Sequence, residues 1–129
     1  MKELKAGISA SMELTPGKKD LASSMGSGSL DVFATPAMIA LMENTASLCV
    51  EPYLEGDETT VGTEVNVRHI SATPDGMKVT AEAVLTEVNG RELVFTVKAS
   101  DEAGLIGEGT HKRFVVYGKR FMEKTNAKK

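Results

Sequence analysis

Apolar and polar residues alternate with period two along most of this chain. Between Lys5 and Leu14, Ile8, Ala10, Met12 and Leu14 alternate with smaller or polar neighbours, as in a strand buried on one face. From Thr60 to Ser71, Val65, Val67 and His69 share one face, and Glu64, Asn66 and Arg68 the other. Met77 to Val88 turns Met77, Val79, Ala81, Ala83 and Leu85 inward. Arg91 to Ser100 does the same with Leu93, Phe95, Val97 and Ala99, and a last strand spans Leu105 to Tyr117. Turn-forming runs separate these segments: Thr15-Pro16-Gly17-Lys18, Thr73-Pro74-Asp75-Gly76 and Asp101-Glu102-Ala103-Gly104. Asn89-Gly90 predicts a type I′ hairpin turn.

One segment breaks the alternation. Thr35 suits a helix N-cap and Pro36 the first helical position. Ala37-Met38-Ile39-Ala40-Leu41-Met42 is apolar nearly all round, which predicts a buried helix. It should reach Val50 and stop before Pro52. Ahead of it, residues 15–30 form a flexible loop dense in Ser and Gly from Ser23 to Ser29. A loop of that length serves as a lid or binding segment, or as a plain connector. Residues 118–129 are polar and net basic, a surface tail.

Residues 1–117 therefore make one α+β domain. A single sheet must bury its apolar face, and the one helix is its only cover. That is the hot-dog fold, an antiparallel β-sheet wrapped around one central helix. Unpaired edges of so small a sheet predict a homodimer.

Composition removes whole classes of function. The chain has 129 residues and a net charge of −3, from 15 basic and 18 acidic side chains, which argues against a nucleic-acid partner. No apolar run approaches the roughly 20 residues of a bilayer span. Met1-Lys2-Glu3-Leu4-Lys5 has no apolar signal-peptide stretch, so a cytoplasmic location without membrane partners is expected. The single cysteine, Cys49, precludes an internal disulfide or a cysteine-rich zinc site. No metal-ligand spacing or phosphate-binding glycine motif occurs, so no metal and no cofactor are expected.

Acid–base chemistry at neutral pH is left to His69, His111 and perturbed carboxylates. Glu43 interrupts the apolar helix: burial would suit it to general-base work, whereas an exposed stripe would leave it idle. His69 lies on the apolar face of its strand, as a core histidine or a second polar group of a site. His111 shares a face with Gly107, Gly109 and Arg113 and is taken as structural, as is Cys49. Thr35 either caps the helix or presents its hydroxyl, beside free helix N–H groups, to a carbonyl. Eight helical residues rise about 12 Å, too far for Thr35 to touch Glu43 directly. A shared site would be elongated, or would draw Thr35 from another subunit.

Several segments together resemble a known family. They are Val32-Phe33-Ala34-Thr35 leading to Leu41-Met42-Glu43, Pro52-Tyr53-Leu54-Glu55, Gly62-Thr63 with His69, Ala72-Thr73-Pro74-Asp75-Gly76, and Gly107 to Arg113. Over residues 30–117 the chain resembles the fluoroacetyl-CoA thioesterase-like branch of the hot-dog superfamily. The resemblance implies that Thr35, Glu43 and His69 are catalytic, with Gly62 and Arg113 at the substrate. It implies hydrolysis of an acyl-CoA at a site in a dimer interface. Glu43 would attack the carbonyl directly or activate water, and His69 would support proton transfer. The family's fluoroacetate-specific member has aromatic residues in the loop before the helix. Here Ser27-Gly28-Ser29-Leu30 has none, which points to a general short-chain acyl-CoA. A non-catalytic hot-dog module binding acyl-CoA or another small ligand is the alternative.

Overall fold

A computed structural model describes residues 1–129. Five strands form one antiparallel sheet: β1 (Ser9–Leu14), β2 (Glu58–His69), β3 (Val79–Asn89), β4 (Glu92–Asp101) and β5 (Gly104–Tyr117). Their order across the sheet is β1-β3-β4-β5-β2, so β2 is an edge strand with one side unpaired. The chain also forms the short helix α1 (Ala22–Met25), the central helix α2 (Thr35–Val50) and a terminal helix α3 (Gly118–Asn126). The hot-dog architecture expected from the alternation is present. α2 lies on the sheet, and Phe33, Met38, Met42, Ala46 and Val50 pack against Leu85, Leu93, Phe95, Val97 and Ile106. No helix is long and apolar enough to cross a membrane.

Local chemistry corrects four expectations. Ala34, not Thr35, is the N-cap of α2; Thr35 already begins the helix, and its hydroxyl makes no capping bond. Residues 15–30 are not a featureless loop. They hold a 3₁₀ turn at Lys18–Asp20 and the turn of α1. Backbone bonds from Ala22 N to Val32 O (2.8 Å) and Ser23 N to Leu30 O (3.1 Å) fold the segment back on itself. The polar end is helical rather than a tail, because Asp57 supplies acceptors at the start of α3. Its carbonyl takes the Gly118 N–H (3.0 Å) and its carboxylate the Lys119 N–H (2.9 Å). The β3–β4 turn is centred on Gly90-Arg91, with Asn89 paired to Glu92. Only Gly90 has positive φ (65°), the pattern of type II′ rather than I′.

The helix is buried on one side only. Ala40, Asn44 and Leu48 form an open stripe, with Ile39, Glu43 and Ser47 at its flank. Beneath the helix, Thr60, Gly62, Val65, Val67 and His69 of β2 face inward beside Val115, Arg113, His111, Gly109 and Gly107 of β5. A β-bulge between Gly62 and Glu64 lets both Gly62 and Val65 point inward despite their odd separation. Gly109 sits where a Cβ would collide with the Asn66 carbonyl and the Val67 backbone. Gly109→Ala should therefore pry β2 from β5 and cost about 2–3 kcal/mol, read as a lower urea midpoint.

Candidate active site

α2 carries two polar side chains to two separate places. At its start, the Thr35 hydroxyl lies 2.8 Å from Nδ1 of His69, at the far end of β2. The other ring nitrogen, Nε2, is the one buried side-chain nitrogen or oxygen without a hydrogen-bond partner. A buried imidazole nitrogen with no partner is costly to keep, which is a feature of atoms reserved for a ligand or a reaction. Both residues line a cavity of about 360 Å³, walled by Ser27–Leu30, Phe33 and Ala72. Ser27–Leu30 of the early loop forms one wall of this cavity.

Two turns further along α2, Glu43 meets a different group. Its Oε2 lies 3.6 Å from Nη1 of Arg113 and 4.0 Å from Nε2 of His111. The Glu43 side chain is 39% exposed, so it sits at the edge of the core and not inside it. Arg113 is buried and held on several sides: Nε donates to the Thr60 hydroxyl (2.8 Å) and Nη2 to the Thr60 carbonyl (3.0 Å). Gly62 completes the group. A Cβ there would stand 2.6 Å from Oε2 of Glu43.

Burial sets the protonation of these groups. It lowers the pKa of His69, against a backbone hydrogen bond at Ser71 that raises it. It also lowers that of His111, where the Arg113 charge adds to the effect while the Glu64 carbonyl and Glu43 oppose it. The Arg113 value is lowered by burial too, with Glu43 opposing. In the unfolded chain both histidines protonate near pH 6.5, so below that pH the unfolded state binds more protons. Stability should be complete above about pH 6.5 and fall as pH drops toward the lower folded values. Urea midpoints should therefore be lower at pH 5.5 than at 7.5, and His69→Gln should flatten the slope. Burial likewise pushes the Cys49 thiol up, which suits a structural cysteine.

Comparison with known proteins shows the family of the chain. A family model described as "FlK: Fluoroacetyl-CoA-specific thioesterase" matches residues 17–119. The fluoroacetyl-CoA thioesterase of Streptantibioticus cattleyicolor is 45% identical over 98 residues, covering 76% of this chain and 68% of the relative. The chain belongs to the fluoroacetyl-CoA-specific thioesterase family. A mutant of FlK superposes with a TM-score of 0.94 at 32% identity over 100% of both chains. A second FlK mutant, in complex with acetyl-CoA, gives 0.92 at 33% identity over 97% of this chain and 98% of that one.

This thioester hydrolase does not assemble its sequence-predicted residues in one place. Thr35 and His69 meet, and Glu43, Gly62 and Arg113 meet, but the two groups lie apart within the chain. Glu43 is about 12 Å along the helix from Thr35, and His69 is about 23 Å along β2 from Gly62. Thr35, expected from the sequence either in an elongated site or in one drawn from another subunit, is paired with His69 of its own chain. Sequence reasoning set His111 aside as structural, whereas the structure places it within the thioesterase's Glu43 group. The available signal was its shared face with Arg113.

Proposed function

We propose that this protein hydrolyses short-chain acyl-CoA thioesters at two equivalent sites between two copies of the chain. Glu43 of one copy would act with Thr35 and His69 of the other. The observation that carries this reading is the split between the two groups, combined with the free edge of β2. Antiparallel pairing of β2 with its own copy about a two-fold axis between Val65 and Asn66 brings Gly62 of one chain opposite His69 of the other. On α2, Ile39 lies midway between Thr35 and Glu43 and beside the open stripe of Ala40, Asn44 and Leu48, so a two-fold axis passing there would exchange the positions of Thr35 and Glu43.

At such a site Glu43 attacks the thioester carbonyl, directly or through a water, while Arg113 holds its carboxylate in place. N–H groups of the first turn of α2 face the developing oxyanion. Thr35 holds the His69 ring by Nδ1, so Nε2 is the nitrogen that serves the departing thiolate. Overall the C–S bond breaks and a C–O bond to water oxygen forms, giving a carboxylate, the CoA thiol and one proton. Gly62 and Arg113 border the acyl group. A cavity of about 360 Å³ with Phe33 as its one large aromatic wall suits a short acyl chain. The acetyl-CoA complex of the FlK mutant supports the same substrate class, and a single free thiol fits a reducing cytoplasm.

Thiol release from a series of acyl-CoAs tests the proposal. Acetyl- and propionyl-CoA should turn over, and octanoyl-CoA, with six carbons more than acetyl, should be at least about tenfold slower, because the same pocket must also take the thioester end of the CoA arm. Fluoroacetyl-CoA should exceed acetyl-CoA by no more than their ratio in uncatalysed hydrolysis. Tight CoA-ester binding with no thiol released from any member would leave a binding module instead.

A further inference from the structure

His111 is buried, titratable and unused by the chemistry above, and its surroundings are unusually determinate. It is 1% exposed and lies under α2, with its ring stacked against Phe95 at a centroid distance of 6.2 Å. Nδ1 is 2.8 Å from the backbone carbonyl of Glu64, just past the β2 bulge. A carbonyl can only accept, so Nδ1 carries the proton. The remaining nitrogen of a neutral ring, Nε2, is then an acceptor, and it faces Nη1 of Arg113 at 3.2 Å. Glu43 lies 4.0 Å from the same nitrogen and can receive no hydrogen bond from it in this tautomer. Glu43 reaches the network only through Arg113.

We infer that His111 is a positioning residue: it links the β2 bulge to Arg113 and thereby sets the orientation in which Arg113 engages Glu43. The order runs Glu64 carbonyl, His111 Nδ1–H, His111 Nε2, Arg113 Nη1–H, Glu43 carboxylate. Each member has one role compatible with its neighbours. Thr60 fixes the guanidinium by Nε and Nη2, and His111 fixes the third nitrogen. The charged groups facing the ring are Arg113 from its own strand and Glu43 from α2; Phe95 covers it from β4, and β2 presents the Glu64 carbonyl with the uncharged Gly62 and Val65. A protonated ring would lose its acceptor and repel Arg113. Lowering of the His111 pKa by burial is consistent with the neutral form.

The inference rests on the proposed role of Glu43 and is tested so that the two can fail separately. The amide of asparagine sits where Nδ1 does and keeps the bond to Glu64. The amide oxygen of glutamine reaches the place of Nε2 and keeps the acceptor for Arg113. His111→Gln should therefore hold kcat within about threefold, while His111→Asn and His111→Phe should lose about 10- to 100-fold, the worth of a hydrogen bond to a charged group. KM should move little in all three. Thermal stability should follow the opposite order, with Asn at least as stable as Gln. A merely structural histidine would make activity follow stability, and that result, or equal rates for Gln and Asn, overturns the inference. Nitrogen-15 spectra of the wild-type imidazole at pH 7 supply a readout independent of turnover. They should show Nδ1 protonated and Nε2 bare, and a proton on Nε2 overturns the inference. If Glu43→Gln hydrolyses at the wild-type rate, the proposed function fails. The link to Arg113 is then judged by its guanidinium proton signals, which must stay as sharp as in wild type with Gln and broaden with Asn.

Discussion

Co-expressing a Glu43→Ala chain with a His69→Ala chain should yield about a quarter of the wild-type rate, although each variant alone is nearly dead. Random pairing makes about half the dimers mixed, and each mixed dimer holds one site with both groups intact. The other site of that dimer lacks both. Alone, Glu43→Ala should lose about 10²- to 10⁴-fold in kcat, as expected for removal of a general base or nucleophile. A site contained in one chain predicts no recovery at all on mixing. The measurement is thiol release from acetyl-CoA by the whole co-expressed pool; mixed dimers purified away from the two parents should give about half the wild-type rate. Absence of recovery, with dimers present by mass, would sink the two-chain site.

The second large effect is expected from one methyl group. Gly62→Ala places a Cβ 2.6 Å from Oε2 of Glu43 and 3.3 Å from Nη1 of Arg113. The carboxylate is the mobile end of a half-exposed side chain, so it should swing aside at small cost in stability. Alanine also removes chain entropy that glycine must lose in a strand. The expected outcome is a melting temperature equal to or above wild type and a kcat down about 100-fold, the cost of misplacing a reacting group by roughly 1 Å. Crystal-independent checks suffice: a melting curve and a rate. Unchanged turnover would mean that the carboxylate does not act from the position beside Gly62.

Much of this molecule is legible in its residues. Alternation located all five strands, and the apolar run after Pro36 located α2 and its end before Pro52. The helical terminus at Gly118 was not legible. Its start depends on Asp57, a residue more than fifty positions away that supplies two acceptors. Thr35 looked like a cap because local chemistry favours threonine there. His69, thirty-four positions on, claims its hydroxyl instead.

The same division runs through the site. Sequence alone determined that α2 carries one acid in an apolar run, that His69 and Val67 share a face, and that Gly107, Gly109, His111 and Arg113 share another. Those are consequences of helical and strand periodicity, which act over a few residues. Tertiary structure decided which of these groups meet. The bulge at Gly62 shifts the inward register of β2 by one residue, and pairing with β5 then sets Arg113 and His111 beside Glu43. The rise along α2 and the length of β2 keep Thr35 and His69 from that carboxylate within one chain. Contacts between residues far apart in sequence depend on register and sheet order, and no local pattern of side chains encodes either.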